Sequence, residues 1–349
     1  MSGSEKKEVT PIKGSSPVKI EMRRVDADET GMRLDRWFKE NFPELGFGRL
    51  QKLLRTKQVR VDGKRAESST RLVTGQEVRI PPLGVELAAD DRANARPRAR
   101  KQVDSDREAI EQMMLFEDAH VMVLNKPAGL AVQGGSGLTR HVDGMLDAFA
   151  NQKGDKPRLV HRLDRETSGI LLIAKTRRAA QELTKAFRHR NTRKIYWAMV
   201  AGVPKPKQGR ISTHLARDES EERMKIVRHG VEDSQHAVSL YSVVEQSGQK
   251  LSWVSLKPVT GRTHQLRAHA AHIGCPIIGD PKYFNITNWE LPGGIQNKLH
   301  LLARRILIPH PSGNGVIDVS APLPPHMQQT WNLLGMDVKE YDPEMNDPE

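Results

Sequence analysis

Asp164 lies in the segment His161-Arg162-Leu163-Asp164-Arg165-Glu166-Thr167-Ser168-Gly169, among cationic neighbours and just before the apolar run Ile170-Leu171-Leu172-Ile173-Ala174. A carboxylate beside a core-forming strand keeps its charge only when it is paired and hydrogen-bonded. The spacing therefore predicts a held, working carboxylate, able to serve as nucleophile or as general acid or base. The competing reading of the same residues is a solvated loop that happens to precede a strand.

Such a carboxylate needs a scaffold, and apolar runs supply one. Ala119 to Leu124, Ile170 to Ala174, Ile195 to Val203 and Arg305 to Ile308 read as strands, several of them with short connections. Between two of them, Ala179, Ala180, Leu183 and Phe187 mark one face of a helix from about Arg177 to Arg190, with Thr176 as its cap. The pattern predicts an α+β catalytic domain over 110–337, with a mixed, largely antiparallel sheet flanked by helices and loops.

A smaller α/β unit is expected over 18–83. In Arg49-Leu50-Gln51-Lys52-Leu53-Leu54-Arg55 the leucines share one helical face, and Arg49, Lys52 and Arg55 the other. Gln58 to Lys64 alternates and contains the turn pair Asp62-Gly63, and Gln76 to Ile80 alternates again before Pro81-Pro82. Residues 84–109 read as a mobile linker, with proline inside a charge run and no apolar periodicity. Residues 1–17 and 338–349 read as disordered tails.

Composition narrows the partners. Fifty-five Lys and Arg against 43 Asp and Glu give a net charge of +12, which favours a polyanion, because neutralised phosphates release counterions. No apolar stretch approaches the roughly 20 residues that span a bilayer, so a membrane is not expected as partner. Met1 to Lys19 contain no apolar signal core, and the location expected is cytoplasmic. Cys275 is the only cysteine, which excludes an internal disulfide and a multi-cysteine zinc site.

His161 to Gly169, with the apolar run after it, resembles the signature of the RluA family of pseudouridine synthases. Three further stretches resemble that family in its order: Asn125-Lys126-Pro127-Ala128-Gly129, Lys194-Ile195-Tyr196-Trp197-Ala198-Met199-Val200, and Thr260-Gly261-Arg262-Thr263-His264-Gln265-Leu266-Arg267-Ala268-His269. The resemblance implies isomerisation of uridine in RNA to pseudouridine on a base flipped out of its stack. It implies Asp164 as the catalytic carboxylate, Tyr196 as the aromatic that stacks on the base, and Arg262 as the guanidinium that keeps Asp164 charged and oriented. Arg162 matches the position that enters the space left by the base. Lys126, His161 and Arg165 join Arg162 as expected RNA contacts. Without the family match, Tyr196 reads as a core residue and the arginines as phosphate contacts or surface ion pairs.

Arg33-Leu34-Asp35-Arg36-Trp37-Phe38, with Gly48 to Leu54 and Val59 to Lys64, resembles an S4 RNA-binding domain, in which Arg49, Lys52 and Arg55 would meet RNA. Gly48 stands where that family commonly has Ser, and Lys57 where Gly is frequent. The combination, with Leu130 to Gly137, implies a synthase acting on large-subunit (23S) ribosomal RNA or its precursor, of the C-type or the D-type. Gln133 departs from the His usual in the C-type. Nothing in an isomerisation demands a nucleotide cofactor or a metal, and a monomer is expected.

Two other classes compete. His264, His269, His272 and His300 suggest a metal-dependent hydrolase, although no acidic ligand accompanies them and His-Glu-x-x-His is absent. A non-enzymatic RNA chaperone or ribosome-assembly factor would share the basic unit and the charge. Whether Asp164 attacks the sugar, adds to the base or abstracts a proton stays open, since a carboxylate serves in all three.

Overall fold

The computed structural model describes residues 20–342 apart from 43–44, 84–99, 136–137, 152–153, 190–191, 219, 222 and 288. The expected tail 1–17, residues 84–99 of the expected linker, Ser136 and Gly137, and the end of the expected second tail lie outside the described residues. The chain divides into two units, Met1–Arg98 and Ala99–Glu349.

In the first unit, β1 (Glu21–Arg24) is followed by α1 (Leu34–Asn41), α2 (Phe47–Arg55), β2 (Arg60–Val61), β3 (Lys64–Arg65) and β4 (Glu77–Ile80). The strands form an antiparallel sheet in the order β1-β4-β2-β3. Leu50, Leu53 and Leu54 of α2 join Trp37, Phe38, Val59 and Val78 in one core, while Lys52 and Arg55 stay exposed and Arg49 is half-buried. Burying one face of a short helix in this way stabilises it where its length alone would not. Asp62 (φ +49°) and Gly63 (φ +71°) both take left-handed backbone, as the tight turn between β2 and β3 requires. Lys57 has φ +59°, a conformation glycine adopts without a Cβ penalty and lysine adopts at a cost.

The second unit opens with α3 (Arg100–Gln112), which corrects the expectation of a mobile linker up to residue 109. Ile110 is fully buried, the buried Asp106 accepts a hydrogen bond from Arg140 Nε at 3.2 Å, and the Arg107 guanidinium lies 4.6 Å from the Phe149 ring centroid. A charge-rich stretch hid these anchors, because Val103 and Ile110 are its only large apolar residues and stand seven positions apart.

The sheet that follows is built from β5 (Met114–Glu117), β6 (Val121–Lys126), β7 (Arg158–Leu159) and β8 (Ser168–Ala174), then β9 (Arg193–Ala201), β10 (Gln208–Asp218), β11 (Arg223–Val227), β12 (Gln235–Ser247) and β13 (Leu251–Pro258), and finally β14 (Leu301–Pro309) and β15 (Val316–Ser320). Its order is β11-β10-β12-β13-β9-β14-β8-β6-β5, with β15 on β14 and β7 on β8. Among the described strands only the β14–β8 pairing is parallel, so the expected mixed, largely antiparallel α+β architecture is the one observed. All seven residues of β8 are buried, which is why its sequence reads as an unbroken apolar run.

Helices cover both faces. α4 (Val142–Met145) and α5 (Arg177–Arg188) pack on the β6–β8 side, and the Thr176 hydroxyl caps α5 by accepting from the Ala179 amide at 3.1 Å. α6 (Gln265–His272) packs against β10, β12 and β13, and α7 (Pro325–Leu334) carries Trp331 into an edge-to-face series with Trp253 and Trp197, at 5.4 and 4.5 Å between centroids. Residues 338–342 are not the start of a tail, as expected, but part of this unit. The buried Asp342 carboxylate accepts from Trp197 Nε1 and Ser255 Oγ, each at 2.7 Å.

Gly169 has a structural requirement that bears on the site. It takes φ +104° at the point where β8 meets β14, and a Cβ there would lie 2.3 Å from the Ala303 carbonyl oxygen. Only glycine lets the strand that follows the Asp164 loop come this close to its neighbour.

Several histidines are held neutral inside this unit. Both ring nitrogens of the fully buried His269 lie 2.9 Å from hydroxyls, those of Thr213 and Ser239, and burial lowers its pKa to about 4. His300, also fully buried, is lowered to about 4 for the same reason. In the unfolded chain both titrate near 6.5, so between about pH 6.5 and 4 the unfolded state binds the extra protons and stability falls as pH falls. At pH 5 the expected loss is about 2 kcal/mol for each histidine, relative to its value above pH 6.5. Urea unfolding midpoints measured across that range check this, and a midpoint that does not move on acidification contradicts it.

Candidate active site

The Asp164 loop bridges β7 and β8 and is fastened from beneath. The Asp164 carbonyl accepts from the Thr167 amide at 3.1 Å, closing the turn. Lys126, at the end of β6, is fully buried and donates through Nζ to the carbonyls of Pro127 and Leu130, both at 2.9 Å, and of Arg165 at 3.0 Å. Burial lowers its pKa to about 8, with Glu166 and Asp164 acting in the other direction. Arg165 is exposed and also ties the loop, its Nε donating to the Gly129 carbonyl at 3.0 Å.

Lys126 was expected to contact RNA, and its burial overturns that role: the ammonium holds three turn carbonyls together. His161 is similarly occupied, since its Nε2 accepts the Leu172 amide at 2.8 Å and its ring lies against Phe187. Burial, and the neighbouring Lys194 charge, push the His161 imidazole down to about 3. At neutral pH it carries no charge to offer a phosphate.

Asp164, Tyr196, Arg162, Arg262, His264 and Arg267 line one cleft of about 540 Å³, together with Lys194, Phe187 and Arg188. A neighbouring cavity beyond the loop is bordered by Lys126, Glu166, Asp280 and Trp289. The Asp164 side chain is 21 % exposed, with Oδ2 3.8 Å from Arg267 Nη1 and 3.9 Å from His264 Nε2. The guanidinium beside the carboxylate is therefore that of Arg267. Arg262, expected there, instead donates through Nε to the His236 carbonyl at 3.2 Å from the cleft rim.

Local geometry explains the exchange. The Gln265 amide group accepts from Thr260 Oγ1 at 2.7 Å and from the Arg262 amide at 3.0 Å, and donates to the Val238 carbonyl and Ser239 Oγ, both at 2.9 Å. His264 then turns the chain with φ +51°, and α6 begins. Arg262 precedes that turn and faces out. Arg267 follows it and is buried.

Arg267 is itself held. It makes a two-pronged pair with the buried Asp280, Nε to Oδ2 and Nη2 to Oδ1, both at 2.7 Å, leaving Nη1 toward Asp164. Burial acts to lower its pKa, but the pairing with Asp280 and the charge on Asp164 outweigh it and the net shift is upward, so the guanidinium stays charged. The Tyr283 hydroxyl donates to the Met224 carbonyl at 3.0 Å and lies 3.1 Å from His264 Nδ1. Burial, chiefly, keeps His264 below its usual range and so neutral at pH 7.

Tyr196 is half-buried on β9 and lines the cleft. Burial, reinforced by the Asp164 charge, raises its pKa, so the phenol keeps its proton. The arrangement joins a fixed carboxylate, a neutral aromatic face and a rim of cations: Arg162 and Arg188 are exposed, and Lys194 is half-buried. Arg49, Lys52 and Arg55 belong to the other unit. The roles of Arg267, Asp280 and Gln265 were not read from the sequence; Gln265 and Arg267 stand in the quoted Thr260–His269 stretch, on a helix whose first six residues are buried, and Asp280 lies outside it in a corner with no periodic signal. His269, weighed as a metal ligand, has both nitrogens engaged by hydroxyls.

Residues 120–272 match the family described as RNA pseudouridylate synthase. A relative from Arabidopsis thaliana, "RNA pseudouridine synthase 4, mitochondrial", is 32% identical, over 88% of this chain and 80% of its own length. "Ribosomal large subunit pseudouridine synthase C" of Vibrio parahaemolyticus is 32% identical, over 92% and 98%. Among solved structures, "Human RNA Pseudouridylate Synthase Domain Containing 4" aligns with a TM-score of 0.57 and 27% identity, covering 68% of this chain and 98% of that one.

Proposed function

The chain belongs to the RNA pseudouridylate synthase family, and from that premise we propose that it isomerises specific uridines of large-subunit (23S) ribosomal RNA to pseudouridine, with Asp164 as the catalytic carboxylate. The observation that carries the reading is the Asp164 carboxylate in a cleft, facing a guanidinium whose own position is locked by Asp280. A charge held ready in a partly dry site needs no reorganisation when the glycosidic bond breaks.

In this reading the target uridine leaves its stack and enters the cleft, where the Tyr196 ring supports the base. Arg162, on the exposed side of the loop, occupies the gap in the RNA. Asp164 assists cleavage of the N1–C1′ bond, uracil rotates, C5 bonds to C1′, and the proton lost from C5 balances the one gained at N1. The first unit, with its basic helix face at Arg49, Lys52 and Arg55, acts as an RNA-binding module in the manner of an S4 domain. The net charge of +12 supports both contacts. No helix among the described residues is long and apolar enough to cross a membrane.

Mapping pseudouridines in ribosomal RNA from cells with and without the gene tests the proposal. Loss of specific large-subunit positions, restored by the wild-type protein and not by Asp164→Asn, is the expected result. Restoration by Asp164→Asn would favour an assembly role for the protein in place of catalysis.

A further inference from the structure

The cleft contains more positive charge than its chemistry uses. Among the described residues, five arginine and lysine side chains line it: Arg162, Arg188, Lys194, Arg262 and Arg267. Arg267 is paired with Asp280 and Asp164, and Arg262 is turned onto a carbonyl. The remaining three stand on one wall. Lys194 and Tyr196 are two residues apart on β9 and so share a strand face. Thr184, Phe187 and Arg188 line the cleft from the last turns of α5, at the helical spacing i, i+3 and i+4. Arg162 comes from the loop that joins β7 to β8.

Lys194 is the unusual member. It is half-buried beside His161 and Phe187, burial pulls its pKa down, and among the described residues it has no acidic partner. An ammonium taken partly out of water with no counter-charge costs stability unless an anion arrives to pair with it. Burial, with the Lys194 charge acting in the same direction, keeps the neighbouring His161 neutral, so that ring supplies no compensation.

We infer that Lys194, with Arg188 and Arg162 at the rim, forms a binding site for one phosphodiester adjoining the extruded uridine. A uracil ring is neutral and needs no net charge opposite it, whereas a flipped nucleotide draws its own phosphates toward the cleft mouth. The wall thus fixes the backbone while Tyr196, on the same strand, meets the base. Lys194 is a positioning residue in this scheme. The inference rests on the proposed RNA substrate, and its test separates the two.

The test uses the full-length protein and an RNA fragment spanning a uridine that the wild type modifies, with single methylphosphonates placed 5′ or 3′ to it. Lys194→Met is expected to weaken binding about tenfold and reduce the salt slope of the affinity by about one. The turnover rate at saturating RNA should change less than about threefold. Lys194→Arg should retain most of the affinity. One of the two methylphosphonates should cost the wild type the same factor and cost Lys194→Met nothing further. Fully additive losses overturn the inference, as does a fall in turnover with unchanged affinity, which would place the ammonium on the base. Reduced thermal stability with normal RNA binding would make Lys194 structural and also overturn it. Failure of the wild type to convert any uridine would count against the proposed function instead; RNA affinity and its salt slope still decide the phosphate contact.

Discussion

Asp164→Asn is expected to lower pseudouridine formation by about a thousandfold or more while leaving the fold as it is. The amide has the shape of the carboxylate but carries no negative charge and is a far poorer nucleophile and base. Three features keep the cost to stability small. The side chain is part-exposed at 21 %, its loop is fastened through backbone groups and Lys126, and Arg267 keeps its two hydrogen bonds to Asp280. RNA affinity should hold or rise slightly, since a negative charge leaves a site that receives phosphates. Single-turnover assays on ribosomal RNA fragments, paired with thermal melts, read both quantities. Activity within about tenfold of wild type would remove the carboxylate from the mechanism altogether.

Sequence revealed most where the cause of structure is local. The buried run of β8, the Thr176 cap of α5, the Asp62-Gly63 turn and the two-faced helix α2 each follow from a few adjacent residues, and each appears where the pattern places it. Asp164 was legible for the same reason, as a charge out of place beside an apolar strand. The partners of that charge were not. Arg262 and Arg267 are five positions apart in one polar motif, and spacing does not say which lies before the His264 turn and which after it. The choice is made by Asp280, in a Gly279-Asp280-Pro281 corner that carries no periodic signal.

Lys126 failed to read correctly for a related reason. A lysine at a strand end beside a glycine turn resembles a surface contact, and its burial depends on carbonyls contributed by two separate turns. The far end of the chain poses the same problem. Trp197 and Ser255 bind a carboxylate more than eighty residues downstream of either, so Asp342 looked like part of a tail. In all three cases a buried polar side chain has at least one partner more than ten residues away in sequence, and single-sequence periodicity records only what neighbours share.

Arg267→Met separates the structural from the chemical task of the guanidinium. Alone, it strands Asp280 as an unpaired buried carboxylate, and the expected cost is about 3–5 kcal/mol of stability, together with a loss of activity of about a hundredfold or more. Arg267→Met combined with Asp280→Leu removes both charges, so most of the stability should return, because a buried pair is often replaceable by apolar residues of similar volume. Activity should not return, because Asp164 still lacks the positive charge at 3.8 Å that holds it in place. Arg262→Ala is the contrasting variant: its guanidinium lies at the rim, so RNA affinity should fall more than turnover. Urea unfolding and single-turnover rates on the same three proteins decide the matter. If the double variant regains activity along with its fold, Arg267 only buttresses the wall; if Arg262→Ala loses turnover at saturating RNA as severely as Arg267→Met, the guanidinium that serves Asp164 during catalysis is the one at residue 262.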